Sequence, residues 1–373
     1  MKTKAAVLKE SPGRLEILEL DMDDLRKGEI RVKMRAAGLC HSDDHFVKGD
    51  QTPGVFPIVL GHEGAGVVEA IGPDTEGFEI GDHVVFSFLP VCGRCKWCSK
   101  GMQSLCDLGA YLSTGSRFED PGTYRLSLDG QPVGALASLG TFAEHVTVSA
   151  ISAIKYDPSI PFEIACLAGC GVGTGWGSAV NSGEVSPGDV TIVMGVGGIG
   201  INAVQGAAHA GARAVIAVDP VEFKRDWALK LGATHAFEDI DAAADFARSI
   251  TNGQGADQTI VTVGVTTGKH VGQALEATRK GGTTVATGIG AATVEAGDID
   301  LHHLTLMQKR LQGSLFGSSN PLADIPAQLD LYQQGYLHLD ELVTKRYRLE
   351  EVNEGYADML AGSNLRGVIV FDD

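Results

Sequence analysis

Three side chains spread along the first half of the sequence could hold a metal ion. Cys40 lies in Gly38-Leu39-Cys40-His41-Ser42-Asp43-Asp44-His45, His62 in Gly61-His62-Glu63-Gly64-Ala65-Gly66, and Cys170 in Gly169-Cys170-Gly171-Val172-Gly173-Thr174-Gly175. Thiolate and imidazole suit zinc, and two cysteines with one histidine leave a coordination position open, as catalytic rather than structural zinc sites do. Each residue alone has a plain alternative, a buried thiol or a satisfied core histidine. The three together, with Asp43 and Glu63 beside them, favour the metal reading.

A second group is denser. Cys92, Cys95, Cys98 and Cys106 can wrap one tetrahedral ion, and four thiolates make a closed, unreactive zinc site. An iron–sulfur cluster is the rival, but a ferredoxin-type run brings its fourth cysteine sooner and follows it with proline. Here Asp107 follows Cys106. Of the 7 cysteines, only Cys166 is left without a metal role.

A third motif addresses a dinucleotide. Val190-Thr191-Ile192-Val193-Met194 is a continuous apolar run of the kind buried in a parallel sheet. It runs into Gly195-Val196-Gly197-Gly198-Ile199-Gly200 and then a helical pattern from Ile201 to Ala210. A second strand pattern, Ala214 to Val218, ends at Asp219. In that context a G-x-G-x-x-G lets pyrophosphate approach a helix N-terminus, and the acid meets the adenosine ribose, favouring NAD over NADP. Glycines serving only helix–sheet packing are the alternative.

The elements that must position these groups fall into two styles. Up to about residue 90 the pattern is β-rich, with short alternating stretches such as Glu29 to Met34 and a turn-then-strand signal from Gly81 to Phe86. His83 within it reads as structural. Residues 107 to 145 form a long, turn-rich insertion, functional or an interface by its length, with surface packing the alternative. From about residue 175 strands alternate with helices, through Gln258–Gly264 and Gly282–Gly288, which completes a doubly wound sheet. Asp324 to Tyr332 reads as an amphipathic helix, and the chain ends in mixed structure from Arg366 to Phe371. There are no internal repeats.

At 373 residues the chain has room for two cored domains. Its 30 basic against 47 acidic residues, a net charge of −17, disfavour nucleic acid or an anionic membrane as partner. No apolar run approaches the roughly 18 residues of a membrane helix. The first residues break their apolar run too early for a signal peptide, so the expected location is cytoplasmic. Cysteines in such a setting point to metal before disulfides.

Over essentially its whole length the sequence resembles the zinc-containing medium-chain alcohol dehydrogenases. The resemblance rests on C-H-S-D-D-H, G-H-E-G-A-G, the cysteine lobe, G-C-G-V-G-T-G and G-V-G-G-I-G in that order. More narrowly, Gly175–Asn181, Val218–Arg225 and Val352–Tyr356 resemble the nicotinoprotein members, which are assayed with a nitrosoaniline dye, keep NAD(H) bound through turnover and pass electrons to an external carrier. The resemblance implies a β-rich GroES-like catalytic domain over 1–174, a Rossmann doubly wound parallel-sheet cofactor domain over 175–314, and a return to the catalytic domain over 315–373. It further implies a pocket in the cleft between domains, a small alcohol or aldehyde as substrate, and a homo-oligomer. It implies two zinc ions per subunit, a catalytic one on Cys40, His62 and Cys170 and a structural one on the four-cysteine lobe. The catalytic ion would act as a Lewis acid on the alcohol.

Carried over by position, Ser42 and His45 match a proton relay to solvent. Asp43 and Glu63 match residues that orient a ligand and tune the zinc charge. His41 and Arg366 match basic residues facing the pyrophosphate, Lys224 a group near the adenosine ribose, and Thr174 and Phe316 groups near the nicotinamide. Phe88 and Phe142 align with aromatics of the substrate pocket, with a core role as the alternative. One position departs from the glutathione-using formaldehyde dehydrogenases that share this architecture. They carry an arginine four residues beyond the last lobe cysteine, where this chain has Ala110. Glutathione is disfavoured, while another thiol carrier stays open. Members of the superfold that only bind are recognised by lost ligand or relay residues, and none is lost here.

Overall fold

The computed structural model describes residues 1–290 and 299–372. The chain forms two compact units. The first comprises Met1–Cys170, Asn320–Gly335 and Leu339–Asp373, and the second Gly171–Ser319 with Tyr336–His338.

The first unit is built on β-structure. Strands Lys2–Leu8, Leu15–Met22, Leu126–Leu128, Gln131–Ala135 and Ile58–Val59 close into a barrel. Beside it lies a 7-stranded sheet whose centre is Glu29–Gly38, flanked by Glu63–Ile71 and the C-terminal strand Arg366–Val370. Alternation along Glu29–Gly38 sends Ile30, Val32 and Met34 into the core while Arg31 and Lys33 stay partly exposed. Register then does the positioning. Gly38 pairs with Glu63 on one side and with Val368 on the other, so three strands reach the same edge of the sheet together. Cys40 and His62, just beyond those pairs, are neighbours because of it.

The second unit is a 6-stranded parallel sheet ordered His235–Phe237, Ala214–Val218, Val190–Met194, Ala256–Val261, Thr278–Ala286, Arg310–Gly313. All five residues of Val190–Met194 are buried, as an apolar central strand covered on both faces must be. The order reverses beside that strand, where open α/β sheets bind ligands.

The insertion after the cysteine lobe is not a free loop. It supplies two barrel strands and a buried arginine, Arg117. Arg117 Nε and Arg125 Nε donate to Glu29 Oε1 at 3.0 and 2.7 Å, with Glu29 1% exposed. Asp23 reaches Arg117 at 3.2 Å, and Arg125 also donates to Ser138. Burial raises the Glu29 carboxyl, but Arg125, the Arg26 N–H and Arg117 outweigh it and hold the group below its ordinary 4.5.

Removing one partner of a buried ion pair strands the other, at a cost of about 3–5 kcal/mol. Glu29→Gln should therefore lower the urea midpoint at pH 7. A carboxyl depressed on folding stabilises above its unfolded value and loses that contribution as pH falls through its folded value. The gap between wild type and Glu29→Gln should narrow as the buffer is taken from neutral into the acid range. A gap that stays constant would contradict the assignment.

Candidate active site

Cys40 ends the sheet edge and opens the helix His41–Lys48. Leu39 N donates to Gly367 O, and a side chain at Gly355 would strike Leu39, so the strand Arg366–Val370 and the helix Val352–Leu360 hold the Cys40 backbone in place. His62 follows Gly61, whose φ of +89° and close approach to the Phe142 ring admit only glycine. Cys170 arrives at the end of helix Phe162–Ala168.

These elements bring a donor atom from each of Cys40, His62, Glu63 and Cys170 within 4.8 Å of one another, all buried. Asp43 lies behind them. Its Oδ1 accepts from Gly61 N at 2.8 Å and its Oδ2 stands 3.1 Å from His62 Nδ1, which directs Nε2 toward the cluster. Glu63 Oε2 pairs with Arg366 Nη2, which also donates to Leu39 O at 3.3 Å, while Glu63 Oε1 is buried without a hydrogen-bond partner among the described residues. Glu63 thus stands among the donors rather than only behind them.

The protonation balance fits a cation. Burial pushes the Glu63 carboxyl up to about 7 against the pull of Arg366. A hydrogen bond from Cys170 holds the Cys40 thiol well below its ordinary value and pushes Cys170 well above. Two thiols, an imidazole and a carboxylate crowded out of water are satisfied together by one borderline-soft divalent ion.

The cysteine lobe makes the same point. Its apolar cluster consists of Val91 and Leu108 with the cysteines themselves, too little to hold a fold. Cys95 N donates to Cys92 Sγ at 3.3 Å, Cys98 N to Cys95 Sγ at 3.5 Å and Cys92 N to Cys106 Sγ at 3.5 Å. The Cys98 N–H lowers the Cys95 thiol to about 6, while burial raises Cys98 and Cys106.

Around the first cluster, Ser42 Oγ lies 3.6 Å from Cys40 Sγ, and buried His45 places Nδ1 2.9 Å from Asp50 Oδ2. Asp50 was not singled out from the sequence; an acid shortly after a relay histidine was the available signal. His41 is half-buried and desolvation keeps it below its ordinary value, hence neutral at pH 7. Phe88 is half-buried and meets His62 edge-on at 5.6 Å. Phe142 is a core residue, fully buried and edge-on to Tyr356 at 6.3 Å. Arg366 is buried at 5% exposure, its charge directed at Glu63.

In the second unit, Gly195 has φ +90° and no room for a side chain beside Val263. A Cβ on Gly200 would meet Gly195 O and Thr262 Oγ1, whereas one on Gly197 would meet nothing within 4 Å. Gly197 thus leaves open space just before the helix Gly200–His209. Gly198 and Ile199 lead into it, Ile199 as the N-cap, with Gly198 O accepting from Asn202 Nδ2 at 2.9 Å. Asp219 accepts from Val196 N at 3.0 Å and Val221 N at 2.9 Å, one per oxygen, which leaves lone pairs on both. Lys224 lies half-buried on the helix Glu222–Lys230. Thr174 is buried in helix Gly171–Gly177, and the Phe316 ring packs over Gly173 of that helix.

Known proteins resemble this chain over its whole length. The alcohol dehydrogenase GroES-like domain family matches residues 26–158 and the zinc-binding dehydrogenase family residues 198–334. The NDMA-dependent alcohol dehydrogenase of Amycolatopsis methanolica is 52% identical over 370 residues, 99% of each chain. Alcohol dehydrogenase B of Mycobacterium tuberculosis is 48% identical over 373 residues, 100% of this chain and 99% of the other. The crystal structure of an alcohol dehydrogenase zinc-binding domain protein from Burkholderia ambifaria superposes with TM-score 0.92 at 33% identity, covering 100% of both chains.

Two clusters of metal-binding side chains among the described residues predict two separable zinc ions. Cys98→Ser should lose the lobe ion and part of the stability, and leave the other. Asp43→Ala, which frees His62 Nδ1, should weaken the other ion about 10- to 100-fold in a chelator competition. Equal loss of both ions in either variant would contradict the partition. The chain belongs to the medium-chain, zinc-containing alcohol dehydrogenase family, with zinc and NAD(H) as its cofactors.

Proposed function

We propose that the protein oxidises a small alcohol to its aldehyde with NAD that stays bound through turnover and is reoxidised by an external redox carrier. The coarser activity, a zinc-dependent alcohol dehydrogenase, follows from the family. The observation that supports the finer reading is the full-length similarity to a relative named as NDMA-dependent. The proposal extends to a homo-oligomer in the cytoplasm; among the described residues no helix is long and apolar enough to cross a membrane.

Bound zinc supplies Lewis acidity that lowers an alcohol's pKa, and NAD supplies the hydride acceptor. The chain's own residues manage geometry and protons. Cys40, His62 and Cys170 hold the ion, and Asp43 fixes the imidazole that faces it. Arg366, paired with Glu63, offsets part of that carboxylate's negative charge, so that an ion held here would keep its electrophilicity. Ser42, beside Cys40, accepts the alcohol proton. His45, its Nδ1 held by half-buried Asp50, passes it outward. Gly197 and the helix it precedes receive pyrophosphate, and Asp219 and Lys224 receive the adenosine ribose. Ala110, exposed and uncharged, gives a glutathione carboxylate nothing to hold, which weighs against a glutathione adduct as substrate.

Protein dialysed extensively without added cofactor should release close to stoichiometric nicotinamide dinucleotide when denatured, and oxidise alcohol with a nitrosoaniline dye and no added NAD. Near-zero release, with activity restored by free NAD, would leave an ordinary dissociable cofactor. Formaldehyde oxidation that requires a thiol would instead favour the thiol-adduct reading.

A further inference from the structure

Two irregular backbone segments of the second unit meet at one contact. Helix Gly171–Gly177 runs into a π-helical turn, Ser178–Ser182, closed by Gly183 N donating to Ser178 O at 3.0 Å. Against it lies a turn with three successive left-handed residues, Phe316, Gly317 and Ser318, at φ of 52°, 62° and 53°. Left-handed residues normally occur singly, and only glycine adopts the region without strain. The two segments approach backbone to backbone. A Cβ on Gly317 would fall 2.5 Å from Gly173 O, and one on Gly173 2.8 Å from the Phe316 ring.

Hydroxyls fasten the contact. Thr287 Oγ1 lies 2.8 Å from Ser178 Oγ, which lies 3.3 Å from Ser314 Oγ. Ser314 Oγ lies 2.8 Å from Ser182 Oγ, and Ser182 Oγ 2.9 Å from Ser318 Oγ. Ser178 also donates to Thr174 O at 2.6 Å. Asn181 Nδ2 donates to Gly317 O at 3.1 Å, and Ser319 Oγ to Gly173 O at 3.5 Å. The chain runs from buried Ser178 and Thr287 out to exposed Ser318. Strained turns persist where their surroundings over-determine them, and they gather at ligand clamps. Irregular π-turns concentrate at functional sites in the same way.

We propose that this ladder of hydroxyls is a latch that slows departure of the bound dinucleotide. It fixes the Phe316–Ser318 turn against the helix carrying Thr174, and rests on the reading that Thr174 and Phe316 adjoin the nicotinamide. With the ladder intact the turn has one conformation and the wall beside the ring stays closed. With it cut, strain favours relaxation of the turn and the cofactor leaves sooner. Ser182, Ser314 and Asn181 are positioning residues in this account, acting through the turn rather than on the reacting atoms.

The test is the NADH off-rate of the holoenzyme, followed by fluorescence after displacement with excess NAD. Ser182→Ala and Ser314→Ala should each raise it about fivefold, the effect of one lost neutral hydrogen bond. Asn181→Ala, at an exposed position, should act in the same direction, and Ser182→Thr should retain most of the slow release. Thr284→Val serves as control. It cuts a buried ladder of the same unit, where Thr278 Oγ1 lies 2.9 Å from both Thr259 Oγ1 and Thr284 Oγ1, and should lower the melting temperature without changing the off-rate. Off-rates unchanged in all three latch variants, or raised equally by Thr284→Val, would overturn the proposal. Fast release from wild type would end the retention reading alone, because the ratio of variant to wild-type rates still measures the latch.

Discussion

Crowding two thiols, an imidazole and a carboxylate within 4.8 Å, out of contact with water, is the constraint on which the first unit depends. Without a cation such a set costs free energy, since each group must be protonated or paired to remain buried. The chain meets the cost in layers. Asp43 holds His62, Gly61 N–H holds Asp43, Arg366 holds Glu63, and Leu39 O holds Arg366. The layers come from distant parts of the sequence, and strand register at Gly38, Glu63 and Val368 gathers them. The sheet is therefore part of the metal chemistry: a slip of one residue would turn Glu63 and Arg366, which lie on its strands, to the other face.

The second unit solves a different problem with different means. A polyanion must come close to backbone N–H groups, and side chains obstruct that approach. Gly195 turns the chain, Gly200 lets the helix pack, and Gly197 leaves open space. Asp219 secures the loop through Val196 N–H while keeping lone pairs available. Where helix Gly171–Gly177 meets the Phe316–Ser318 turn, glycine again removes side chains, and serine and threonine hydroxyls restore the lost cohesion as hydrogen bonds.

Much of this was legible in the sequence, for identifiable reasons. Val190–Met194 and Ala214–Val218 are continuous apolar runs bounded by polar or glycine residues, so pattern and strand coincide. The lobe was legible because cysteine spacing is a nearly local signal. The helix read from Asp324 to Tyr332 runs Pro321–Gln333, since a proline in the first turn fits a helix start. The insertion was opaque: Arg117 and Arg125 look like surface residues until Glu29, far away in sequence, is found between them. The Glu63–Arg366 pair was hidden likewise, because a position matched to a phosphate contact says nothing about which carboxylate lies nearer. The serine ladder was invisible because Ser178, Ser182 and Ser314 are ordinary helix and loop residues until the π-turn and the left-handed turn face them toward one another.

The most direct measurement is zinc K-edge X-ray absorption on the purified protein, together with its metal content. One closed four-cysteine site and one site of two cysteines, a histidine and an oxygen donor predict an average of about three sulfurs per zinc at about 2.3 Å, with nitrogen or oxygen at about 2.0–2.2 Å. An average near four sulfurs, or a single zinc bound only by sulfur, would contradict the catalytic site assigned to Cys40, His62 and Cys170.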